Sequence, residues 1–181
     1  CLKINSMHHL INEIVILAEN VPSINSDTVR IYQHDRPTYD DFFRKINELT
    51  NENDINILAN SDIYFDATLN RLKGYDMENK CLALSRSDEV GGQLRPHHSK
   101  DSQDVWMVKG KIKGVEADFF LGRPGCDNRI AWEFSRKGYD VINPCKSINV
   151  IHVHETQVKS YVRTMEYLVT GPHLMVHPCY L

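Results

Sequence analysis

The sequence predicts an α/β domain with a mostly parallel central sheet flanked by helices. Short apolar runs alternate with a helix-spaced pattern through the first half of the chain, the arrangement that βα units require. Polar segments with chemical potential follow directly on such runs, where open α/β sheets bind ligands. The 181 residues are 41% apolar and 25% charged, enough for one domain with a real core.

Taken in order, Ile11–Glu19 (INEIVILAE) carries a near-continuous apolar run suited to a strand buried on both faces. After a loop at Pro22–Asp27, Val29–Tyr32 is a second short strand. Pro37 stands at a helix start, with Asp35 and Thr38 as cap candidates. Tyr39, Phe42, Phe43, Ile46 and Leu49 then recur at helical spacing up to Asn51, marking one buried face. Asp54–Ala59 is a strand that enters Asn60-Ser61-Asp62, and Lys80–Ser85 is another. The polar stretch Arg86–Gln103 reads as a long exposed loop. Val105–Val108 is a strand, Asp127–Lys137 a helix ended by Gly138, and Tyr139–Ile142 and Ile148–Val153 are two more strands. From Glu155 a weak helix leads to Gly171-Pro172. There is no repeat, low-complexity segment or interdomain linker.

A net charge of -3 supplies no basic field for nucleic acid or anionic lipid. Cys1, Cys81, Cys126, Cys145 and Cys179 are scattered and never paired as C-x-x-C, which argues against a disulfide scaffold or zinc knot. That usage suits a reducing, cytoplasmic setting. No apolar run has the length of a membrane span.

Three constellations can carry chemistry. Asp62, just past a buried strand, can hold a hard divalent cation together with substrate phosphates; the plain alternative is a turn former. In Ile148–His154, alternation sets His152 and His154 on one face and Val153 on the other. Two imidazoles suit Mn²⁺ or Zn²⁺, and the alternative is the polar face of an edge strand. In LGRPGCDNR, Asp127 falls at or near a helix N-terminus, either as a simple N-cap or as a general base. The helix dipole lowers basicity there, so a base also needs partial burial. Asp104 and Trp106 are candidates for holding an acceptor hydroxyl and a sugar ring, and Arg36 and Arg86 for reaching a phosphate. Taken singly, each also reads as a surface charge or a core aromatic.

In order along the chain, RPTYDDFF, ANSDIYFD, SQDVW, DFFLGRPGCDNRIA and NPCKSINVIHVH resemble the GT-A nucleotide-sugar glycosyltransferases. The set is similar to the small glycosyltransferase domains of bacteria and of large DNA viruses, algal viruses included. The resemblance covers about Ile11 to Tyr161 and implies one GT-A domain over residues 1–181. It also implies a first strand that this chain lacks, so that the chain, opening at Cys1, is expected to be a fragment. In that family a D-x-D-like motif holds Mn²⁺ or Mg²⁺ against the donor diphosphate. Asn60-Ser61-Asp62 matches it with Asn60 in place of the first Asp, leaving Asp62 as the metal ligand and Asn60 and Ser61 beside the donor. Arg36 and Arg86 fall to the donor phosphates, and His152 or His154 completes the metal site. Asp127 becomes the base, with Asn128, Trp106 and Asp104 on the acceptor side. The implied activity is transfer of a hexosyl or deoxyhexosyl group from a UDP-linked donor to a glycan hydroxyl. The alternatives are a metal-dependent phosphohydrolase and a non-catalytic glycan- or nucleotide-binding module.

Overall fold

The structure, a computed structural model, describes residues 1–21, 23–153 and 167–181. Its centre is a four-stranded sheet of β3 (Ile55–Ala59), β8 (Val105–Lys109), β5 (Lys80–Leu84) and β9 (Asp140–Ile142), in that order. The pairs β3/β8 and β8/β5 are antiparallel and only β5/β9 is parallel. The expectation of a mostly parallel central sheet is therefore corrected to a mixed one. The reason lies in β8, which returns through the sheet between two strands of opposite direction.

Alternation along these strands feeds two cores. Leu58, Cys81, Ala83, Trp106 and Val108 face α2 (Tyr39–Leu49) and α3 (Cys126–Arg136), which contribute Tyr39, Phe43, Ile130, Ala131 and Phe134. Leu82, Leu84, Val105 and Met107 face the opposite way. They meet Ile63 and Phe65 of β4 (Ile63–Phe65), Leu69 and Leu72 of a 3-10 segment (Ala67–Leu72), and Val150 of β10 (Val150–Val153). Burial on both faces is why CLAL and VWMV read as unbroken apolar runs. Of the two cap candidates Thr38 is the N-cap, so α2 begins after Pro37 and not at it; Thr38 and Asp41 form a reciprocal capping box.

The second sheet has the order β4, β10, β6 (Ser87–Val90), β7 (Gln93–Pro96). The strands β6 and β7 replace part of the loop expected over Arg86–Gln103. They form an antiparallel hairpin closed by Gly91-Gly92, both at positive φ (61° and 75°), as a tight two-residue hairpin turn demands. Strand β1 (Ile14–Ala18) pairs in parallel with β2 (Val29–Gln33) as a separate two-stranded ribbon. All five β1 residues are only half-buried, so it is not the doubly buried strand its apolar run suggests. A short helix, α1 (Leu2–Ser6), precedes it. The weak helix expected from Glu155 lies outside the described residues. Among those residues, no helix is long and apolar enough to cross a membrane.

Candidate functional site

Two strands, β3 and β5, leave the first sheet at the same end and run straight into the second. From β3 the chain turns through Asn60-Ser61-Asp62, with Ile63 N–H donating to Asn60 O, and enters β4. From β5 it passes Ser85-Arg86 and enters β6. Asp104 precedes β8 at that same end, because β8 is antiparallel to both neighbours. Strand β10 lies between β4 and β6 and sets His152 level with Ile63 on one side and Asp88 on the other. Sheet geometry alone thus gathers polar side chains that are distant in sequence.

They form a continuous chain of contacts. His152 Nε2 is 3.0 Å from Asp62 Oδ2, and His152 Nδ1 is 2.9 Å from Asp88 Oδ1. Arg86 Nε donates to Asp88 Oδ1 (2.8 Å), and its Nη1 donates to both oxygens of Asp104 (3.1 and 3.2 Å). Asn60 Nδ2 donates to Asp104 Oδ1 at 3.0 Å. Asp104 is buried; burial raises its carboxyl pKa, while the guanidinium of Arg86 opposes the rise. Asp62, by contrast, is exposed and opens the cluster to solvent.

Asp127 stands beside this chain. Helix α3 has Gly125 as its N-cap, at φ 82°, and makes no side-chain cap bond. A Cβ there would come within 2.9 Å of Val169 O, so the turn needs glycine to admit the C-terminal segment. Asp127 is therefore a first-turn residue and not the cap. Its Oδ2 accepts from Gln103 N–H (3.3 Å), and its Oδ1 from the Cys126 thiol (3.1 Å). Burial pushes its carboxyl up to about 7; Asp104 adds to the rise, and the two hydrogen bonds and Arg86 work against it. This carboxyl exchanges a proton in the neutral range.

Six of the residues expected from the sequence thus come together: Asn60, Asp62, Arg86, Asp104, Asp127 and His152. Ser61 is exposed in the turn between Asn60 and Asp62. Three others lie elsewhere. Trp106 is 2% exposed and packs edge-on against Tyr39 in the core, so it offers no face to a sugar. Asn128 is buried and its Nδ2 donates to Leu174 O, tying down the C-terminal segment. Arg36 contacts the Phe120–Leu121 loop and not the Arg86–Asp104 pair. His154 lies outside the described residues.

Sequence reasoning missed Asp88 and Gln103. Asp88 was hidden because its segment read as loop; Gly91-Gly92 between two short runs was the available hairpin signal. Gln103 contributes a backbone N–H, which no side-chain motif announces.

Among the described residues, no three His, Cys, Asp or Glu side chains form a ready metal cage. Asp62 and Asp88 flank opposite nitrogens of one imidazole, so they cannot close on one ion together with it. Compared with protein-family models, curated proteins and solved structures, the chain matches none of them.

Proposed function

We propose that this protein is a metal-dependent glycosyltransferase, moving a sugar from a nucleoside-diphosphate donor, UDP-linked, to a hydroxyl of a glycan in the cytoplasm. The observation that carries the reading is Asp127, a carboxyl pushed up to about 7 beside a cluster of three further carboxylates and one Arg. A general base works best when its pKa lies near the working pH.

The Asp62–His152 pair fits a divalent cation of the Mn²⁺ or Mg²⁺ kind. A neutral imidazole donates from one nitrogen and presents a lone pair at the other. With Nδ1 turned to Asp88, His152 Nε2 and Asp62 Oδ2, 3.0 Å apart, are the two protein atoms that would hold such an ion. Asp88 then has the usual role of a carboxylate that orients a ligating histidine. Two protein ligands suffice for an ion that takes its remaining oxygens from substrate phosphates and water. Such an ion supplies charge neutralisation at the leaving diphosphate.

The chain's own residues do the rest. Arg86, anchored by Asp88 and Asp104, adds positive charge at the donor side. Asp104 and Asn60, hydrogen-bonded to each other, line the floor between donor and acceptor. Asp127 takes the proton of the acceptor hydroxyl as that oxygen attacks the sugar carbon. The thiol of Cys126 and the Gln103 amide hold the carboxylate oriented meanwhile.

Calorimetric titration with UDP tests this reading. Binding is expected with Mn²⁺ and is expected to vanish with EDTA or in Asp62→Ala. UDP binding that survives both treatments would refute the metal-dependent reading.

A further inference from the structure

A second cluster of charge lies on the other side of the turn that carries Asp127. Arg36 and Arg123 both bring their guanidinium groups to the ring of Phe120, at 5.1 and 4.5 Å from its centroid. Arg123 also lies 5.7 Å from the centroid of Tyr167, a ring that is 39% exposed. Cation–π contact makes the aromatic ring a platform for the two cations. It does not neutralise them.

Among the described residues neither guanidinium is paired with a carboxylate. Of the acids close in sequence, Asp35 and Asp118 form no ion pair with either arginine among the described residues, and Asp40 and Asp41 are committed elsewhere. Asp40 Oδ1 accepts from Ala117 N–H at 2.6 Å, and Asp41 closes the capping box and pairs with His34 and Arg44. Arg36 makes one long bond, from Nη2 to Leu121 O at 3.4 Å. The Nε of Arg123 is shielded from solvent and has no acceptor among the described residues. A shielded donor without an acceptor is costly, and two like charges on one ring repel each other. An oxyanion seated at this pair supplies the missing counter-charge, since the planar fork of Arg matches carboxylate and phosphate.

The cluster adjoins the catalytic end by covalent connection. Cys126 N–H donates to Arg123 O at 3.1 Å, so Arg123 and Asp127 flank one turn. Thr38, two residues after Arg36, bridges to Phe120, and the Tyr39 hydroxyl reaches Cys126 Sγ at 3.8 Å.

We infer that Arg36, Phe120 and Arg123 form a clamp for an oxyanion group, carboxylate or phosphate, carried by the carbohydrate acceptor. The exposed ring of Tyr167 offers a face on which the sugar bearing that group can stack. The assignment to the acceptor rests on the glycosyltransferase reading; the clamp itself does not.

The test uses the full chain and ligand-observed NMR with three probes: glucuronic acid, glucose 6-phosphate and glucose. One or both acidic sugars bind, which tells a carboxylate site from a phosphate site, and glucose at the same concentration does not. Arg36→Gln and Arg123→Gln each weaken that binding about tenfold, the worth of one charge-assisted contact. Arg36 is exposed, so its variant remains informative if Arg123→Gln fails to fold. Failure of both acidic sugars to bind the folded protein overturns the clamp, as does equal binding in Arg36→Gln. UDP titration separates the two proposals: UDP binding without acid-sugar binding removes the clamp alone. Acid-sugar binding without UDP binding removes the acceptor assignment and keeps the clamp.

Discussion

Helix α3 carries Asp127 in its first turn and Glu133 two turns further on, and the fold surrounds these two carboxylates differently. Glu133 is 1% exposed, and guanidiniums from Arg129 and Arg136 close on its two oxygens; both arginines also stack on Trp132. Asp127 receives a thiol and a backbone N–H and has Asp104 as a charged neighbour. One acid is compensated by two cations within its own helix. The other is left under-compensated, and burial holds its proton until near neutrality. A carboxylate that only stabilises gains from full pairing, whereas one that exchanges protons must be left able to hold one.

Removing the compensated acid has the larger consequence. Glu133→Gln leaves the half-buried Arg129 guanidinium without its counter-charge, while the exposed Arg136 keeps Glu116; unfolding in urea is expected to lose about 2 kcal/mol, the scale of a hydrogen bond to a charged group. An unchanged midpoint would show that the clamp on Glu133 adds nothing.

Asp127→Asn is expected to move stability the other way. The folded carboxyl titrates at about 7, against an unfolded value of about 3.9. The fold therefore binds this proton more tightly than the unfolded chain does. The stability it contributes is fully present below about pH 4 and is lost as pH rises through about 7. The Asn variant escapes that loss. At about pH 8 it should exceed wild type by about 1–2 kcal/mol, after allowing for solvent access, with the gain shrinking toward about pH 4. Paired thermal melts across that range check the sign. A variant less stable than wild type at about pH 8 would mean the carboxylate is a structural partner like Glu133.

The same contrast governs what could be read from the sequence. Local signals were legible: the cap at Thr38 as one of two candidates, the apolar runs of β3, β5 and β8, and the helix start next to Asp127 within one residue. Six site residues were legible because each lies in or directly beside an element that the local pattern announces. Sheet direction was not, since alternation in β8 is identical whether the strand runs up or down. The hairpin β6/β7 was obscured by its polar composition, and Asp88 with it. Trp106 was misread because a sequence does not show on which face of a doubly covered sheet a side chain falls. The Glu133 clamp went unnoticed for a similar reason: charges at i, i+3 and i+4 on a helix read as a solvated face until burial is known.

The central claim, that Asp127 is the base of a metal-dependent sugar transfer, is tested most directly by comparing two quantities in Asp127→Asn. With an active UDP-sugar and acceptor, the account predicts that transfer falls by at least about a hundredfold, while UDP binding in Mn²⁺ equals that of wild type. Transfer at the wild-type rate, or loss of UDP binding together with transfer, would contradict it.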